Sequence, residues 1–128
     1  MKKITLMIVT VMMILGLAAC GGNKVDDTTT ANYRSIAEEV VSLLNASNYS
    51  ELHTMFDKQM KEGLSVQQME ELTPLIKESG TFEKVDKFSI EEKDGHYITV
   101  LVAKYSEQKR VYTISFNAEE EIIGLFIK

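Results

Sequence analysis

Three hydrophobic rhythms follow one another along the 128 residues. The first is a continuous apolar run over residues 4–17, interrupted only by Thr5, Thr10 and Gly16. After a polar stretch, apolar side chains recur at helical spacing. Tyr33, Ile36, Ala37, Val40, Val41 and Leu44 form one continuous stripe and predict a helix over residues 31–45. Leu52, Met55, Phe56 and Met60 predict a second helix, from Asn48 or Ser50 to about Lys61. Val66, Met69, Leu72, Leu75 and Ile76 predict a third, opened by the capping-box pair Ser65 and Gln68. Pro74 falls inside this third stripe and must kink the helix, or restart it with Thr73 as a new cap. Gly80 suits the position just past its end.

From Thr81 onward the period becomes two. Val85, Phe88 and Ile90 mark a first strand with an irregularity near Asp86, and Lys93-Asp94-Gly95 signals a hairpin turn. The second strand, residues 96–105, carries Ile98, Val100 and Val102 on one face. Tyr97, Thr99, Leu101, Ala103 and Tyr105 lie on the other. The third, residues 110–117, sets Tyr112, Ile114 and Phe116 against Val111, Thr113 and Ser115. The last, residues 121–128, is apolar on both faces apart from Gly124. The prediction is an α+β fold, with three N-terminal helices packed on a curved, cone-like four-stranded antiparallel sheet. A sheet covered on one side only leaves Leu101, Tyr105 and half of the last strand wet. The pattern therefore asks for a cavity or a partner on the second face.

The opening run has the layout of a cleaved secretory signal: Lys2 and Lys3, then the apolar core, then small residues Ala18 and Ala19. It is shorter than the ~20 residues of a typical membrane-spanning helix. Leu17-Ala18-Ala19-Cys20 resembles the lipobox of bacterial lipoproteins. The resemblance implies a diacylglyceryl group on the Cys20 thiol, cleavage after Ala19, and an extracytoplasmic, lipid-anchored protein. An uncleaved anchor with an incidental cysteine is the competing reading. Cys20 is the only cysteine, so no disulfide forms within the chain. The chain divides into a signal over residues 1–19, a lipidated flexible tether over 20–29 and a domain over 30–128. Loss of the signal leaves twelve basic against nineteen acidic side chains, a formal charge of −7. Such a domain is repelled by nucleic acid and by anionic lipid heads, and is predicted to stand off the membrane.

Within the domain, several residues carry a resemblance. They are Asn48-Tyr49, Phe56, Leu64-Ser65, Gly80-Thr81-Phe82, Phe116-Asn117 and Ile122-Ile123-Gly124-Leu125. With this order of elements, residues 33–128 resemble the bacterial domain-of-unknown-function family numbered 3887. The resemblance implies a cone-shaped fold like nuclear transport factor 2 and an accessory or binding role, with no catalytic residues to carry over. Relatives often have a tryptophan near the position of Leu72, and this chain has none.

Candidate chemistry is sparse. His53 precedes Asp57 by one helical turn, but no motif places a nucleophile beside them. His96 follows a turn and reads as exposed. Two histidines and one cysteine have no zinc-ligand spacing. Glu119-Glu120-Glu121 and Glu91-Glu92 lack calcium-loop spacing. Neither a metal nor another cofactor is called for. Tyr97, Tyr105, Tyr112 and Phe116 are the candidate ligand-binding residues, since tyrosines on a concave sheet can orient a small apolar ligand. Packing within the core is the other reading of these rings. The function expected is a non-catalytic module that binds an envelope protein or peptide, or self-associates. A small-molecule carrier or sensor is the alternative, and a hydrolase or isomerase ranks last.

Overall fold

The computed structural model describes residues 24–128. The export and lipidation readings, Cys20 included, lie outside the described residues. Helix α1 spans Asp27–Asn45, one turn earlier than the periodicity predicts. The Asp26 carboxylate accepts the Thr29 N–H at 2.7 Å and starts the helix. Residues 28–30 are threonines, weak helix formers with nothing to bury, and only the cap recruits them. Tyr33, Ala37, Val40, Val41 and Leu44 are buried along the predicted stripe.

The second predicted helix is two short ones, α2 at Tyr49–Thr54 and α3 at Lys58–Gly63. The helix stops after Met55, and residues 55–57 pair with the last strand. Ile122 N–H donates to the Met55 carbonyl at 2.8 Å, and Asp57 N–H donates to the Ile122 carbonyl at 3.0 Å. The bridge is parallel and places Phe56 in the core. Asp57 then caps α3 by accepting the Met60 N–H at 2.8 Å.

The third predicted helix is α4 at Val66–Met69, a 3-10 turn at Glu70–Leu72, and α5 at Thr73–Glu78. The Ser65–Gln68 capping box is present in both directions. Pro74 sits in the first turn of α5, where its missing N–H is no loss. Thr73 is not the cap: it has helical dihedrals, and its hydroxyl bonds the Tyr49 hydroxyl at 2.6 Å.

The sheet follows the alternation closely. Strands β1 Phe82–Lys93, β2 His96–Tyr105, β3 Lys109–Phe116 and β4 Ile122–Ile127 form an antiparallel meander in that order. Asp94 and Gly95, both with positive φ, make the two-residue turn between β1 and β2. The register jumps at Asp86 as the sequence suggests, and again at Glu83 and Ile123.

One expectation is reversed. Leu101 and Tyr105 are buried beneath the helices, together with Thr99, Ala103, Tyr112, Ile114 and Phe116. The uncovered face instead carries Ile98, Val100, Val102, Val111 and Thr113, all half-buried, with Phe126 71 % exposed. Both faces of β2 are apolar, so alternation alone does not choose between them. The tyrosine and leucine side chains carry the larger apolar area, and that face takes the helices.

Gly80 joins the two layers at φ +92, and a Cβ there would lie 2.1 Å from Ser106 Oγ. Its flanks are tied to the β2–β3 turn by Ser106 N–H to Thr81 O at 2.8 Å and Glu107 N–H to Ser79 O at 3.0 Å. Gly80→Ala therefore meets backbone strain and a clash together. Urea unfolding is expected to show a loss of at least about 2 kcal/mol, against a near-neutral Gly63→Ala control.

Candidate functional site

A groove of about 500 Å³ opens between α1 and the start of β1. Arg34, Glu38, Val41, Ser42 and Asn45 recur on one side of α1 and form one wall, while Phe82, Lys84 and Val85 form the other. Arg34 Nε is 2.9 Å from Glu38 Oε2, and its guanidinium lies 5.6 Å from the centre of the Phe88 ring. This ion pair is solvated and holds side-chain posture more than it stabilises the fold. Phe82 is 38 % exposed and packs edge-on against Tyr105, with ring centres 5.6 Å apart. At the foot of the α1 wall Asn45 Oδ1 accepts the hydroxyl proton of the buried Tyr105 at 2.5 Å, and behind it the Tyr105 and Tyr112 hydroxyls are bonded to each other.

The four aromatic residues singled out in the sequence do not line an open space together. Tyr112 and Phe116 are fully buried in the core. Tyr97 stacks on Tyr33 with ring centres 4.4 Å apart, and Tyr33 in turn tilts against Phe116 at 5.3 Å. Tyr105 alone approaches the groove, through the hydroxyl that bonds Asn45. The rings occupy the concave side of the sheet as packing. Burial raises the pKa of Tyr105, partly offset by its bonds to Tyr112 and Asn45. Burial also raises that of Tyr112, and the hydroxyl of Tyr105 beside it raises it further.

The remaining candidates fall apart geometrically. His53 Nε2 faces the Lys61 carbonyl at 3.3 Å, while the Asp57 carboxylate is engaged as the α3 cap, so they form no acid–base pair. His96 is exposed. Asn117 Oδ1 accepts the N–H groups of Glu119 and Glu121, which makes the acidic turn a backbone device. Among the described residues no group of three His, Cys, Asp or Glu side chains is placed to hold a metal ion. No helix among them is long and apolar enough to cross a membrane.

Sequence reasoning missed Arg110. It is 9 % exposed on the inner face of β3; its Nε donates to Ser79 Oγ at 2.6 Å and its guanidinium also donates to the Leu75 carbonyl at 3.2 Å. It thereby satisfies the last turn of α5 and fastens that helix to the sheet. The available signal was parity, since Arg110 shares a face with Tyr112, Ile114 and Phe116. The groove was missed because its walls are some forty residues apart in sequence.

Helices laid on one face of a four-stranded meander, with an open groove at the β1 edge, define a small α+β domain. The chain belongs to the family described as protein of unknown function (DUF3887), whose pattern matches residues 37–125. No curated protein matches it. Its fold is similar to that of a protein from Ruminococcus gnavus ATCC 29149 solved by NMR, with a TM-score of 0.66 and 17 % identity over 80 % of this chain and 90 % of that one.

Arg110→Ala leaves the end of α5 without its donor and is expected to cost about 3 kcal/mol in urea unfolding, whereas Arg34→Ala is nearly neutral. Tyr105 and Tyr112 hold their protons more tightly folded than unfolded. Their contribution to stability is complete below the ordinary tyrosine pKa of 10 and falls as pH rises above it toward the folded values. Alkaline unfolding is expected above about pH 10, with a shallower pH dependence in Tyr112→Phe, read by circular dichroism.

Proposed function

We propose that the chain is an extracytoplasmic lipoprotein, anchored through Cys20, whose domain is a non-catalytic binding module. Its ligand is an extended segment of an envelope protein lying along the start of β1 in the α1–β1 groove. The observation that carries this reading is the position of the groove. β1 is an edge strand, paired among the described residues with β2 alone, so its outer edge beside Phe82 and Val85 can take an added strand. Val41, Phe82 and Val85 offer apolar contacts for alternate side chains of such a segment, and Arg34, Glu38 and Lys84 offer charged ones at the rim. The sequence Leu17-Ala18-Ala19-Cys20 supports the anchor, and a cleaved signal over residues 1–19 goes with it. A fold like that of nuclear transport factor 2 is the finer assignment we favour, on the order of elements and the one-sided helical layer.

The groove volume also suits a small ligand, since such sites run from about 300 to 1,000 Å³. An apolar small molecule over Phe82 is the second reading.

A photo-cross-linking residue at position 82, in the full chain in intact cells, separates the two. The peptide reading predicts one protein adduct from position 82 and none from position 71, which is exposed on the helical side. The adduct is lost in Cys20→Ala if anchoring brings the partner within reach. The absence of any position-82 adduct, together with a ligand co-purifying in native mass spectrometry, overturns the peptide reading in favour of the small molecule.

A further inference from the structure

The charges of this acidic chain are unevenly placed: residues 80–128, which contain all four strands, carry nine acidic side chains against seven basic ones, yet one face of the sheet is basic. Residues 26–79, which contain all the helices, carry ten acidic side chains against four basic ones. The outer face of the sheet has the opposite balance. Lys87, Lys93, Lys104, Lys109 and Lys128 stand on it and are exposed. The carboxylates there are Glu91 with Glu83 and Asp86. The last two sit at the β1 bulges and pair with Lys104 at 3.7 Å and Lys109 at 2.8 Å.

The lysines frame an apolar field. Ile98, Val100, Val102 and Val111 form its centre, with Ile123 at the β4 bulge. Phe126 rises above them at 71 % exposure, pointing away from the core. Lysine stems lie easily along such a surface while their ammonium groups reach outward. An apolar face with one protruding ring and a rim of lysines has the chemistry of an interfacial membrane site.

We propose that this outer face docks on a membrane surface containing anionic phospholipid, with Phe126 entering the interface and the lysines meeting lipid phosphates. Charge complementarity favours lipid, because the lysines surround the apolar field on several sides, as a headgroup plane requires. Chain length agrees. Helix α1 starts at Asp27, so the link from Cys20 is shorter than the tether read from sequence and spans at most about 24 Å. A link of that length keeps the domain close to the bilayer surface. In this arrangement, unlike the one expected from net charge alone, the acidic helices face away from the lipid. Docking rests on the chemistry of the face itself; the anchor of the preceding section raises only the local concentration.

The chain contains no tryptophan, so Phe126→Trp installs a unique reporter. The full-length lipidated protein, reconstituted in phosphatidylcholine vesicles with or without phosphatidylglycerol, is read by tryptophan emission and by quenching with brominated lipid. A blue shift and strong quenching are expected only with phosphatidylglycerol, and both should fade at high salt. Glu71→Trp, on the acidic side, should stay unquenched throughout. Adding Lys87→Glu and Lys93→Glu to the reporter protein should weaken docking by about fivefold or more for each change. Equal emission and quenching of the Phe126→Trp reporter on the two vesicle types overturns the proposal. So does shielding of its indole that arises only when envelope proteins are added, which would assign the face to a protein partner. Retention on neutral vesicles reads the anchor separately, so anchor and docking fail independently.

Discussion

The backbone pairing between residues 55–57 and Ile122 constrains the rest of the molecule. It joins an early part of the chain to its last strand, and both sides adjust to it. On the helical side it stops α2, turns Phe56 into the core and frees Asp57 to start α3. On the sheet side Ile122 pairs with Phe116 while also bonding residues 55 and 57, and the adjacent Ile123 is extruded as a bulge. Helices of four to six residues have no stability of their own, because nucleation costs more than so few hydrogen bonds return. They persist because each is fixed from outside: α2 by Tyr49 to Thr73, α3 by the Ile122 bridge, α5 by Arg110. Among the described helices only α1, with nineteen residues, has the length to bury a continuous stripe.

How much of this was legible depended on the range of the contact. Local signals read well: the Ser65 capping box, the Asp94-Gly95 turn, the irregularity at Asp86 and the strand order all follow from neighbours in sequence. The breaks did not. Met55, Phe56 and Met60 fit a helical stripe whether or not the helix continues, and the pairing that stops it lies with Ile122. The choice of covered face failed for a related reason. Val100 and Leu101 are equally acceptable inside, and only the summed volume of Tyr97, Leu101, Tyr105, Tyr112 and Phe116 against α1 decides between them. Of the tyrosines named as ligand candidates, Tyr105 bonds Asn45 and the Tyr112 hydroxyl, while Tyr33, which was not among them, donates its hydroxyl to the Asn117 carbonyl. Residues with buried polar ends looked like ligand handles because the partners that satisfy them come from distant elements.

The polar groups of the core have a bearing on the groove. Tyr105 gives its ring to the core and its hydroxyl to Asn45 at the foot of the α1 wall, and Phe82 leans on the same ring. The groove wall is therefore continuous with the buried core. A ligand there meets a surface already held in place and need not order it on binding. The opposite wall differs, since Arg34 and Glu38 are half-exposed and pair with each other, the Arg34 guanidinium lying over the Phe88 ring. Affinity should come from the β1 side and selectivity from the α1 side.

Net charge is a poor guide when a protein is built of two layers with different jobs. The helical layer presents its polar face to water and is rich in glutamate, which is a good helix former. The sheet layer presents lysines, which protect exposed strand surfaces from pairing with other chains. Each choice is local and sensible for its own element, and together they produce an acidic side and a basic side. A domain laid with its basic face on lipid would hold the β1 edge, and the groove between it and α1, to the side of the bilayer. The same segregation that seats the sheet would thus leave the binding edge accessible, so the groove and the outer face can be used at once without competing.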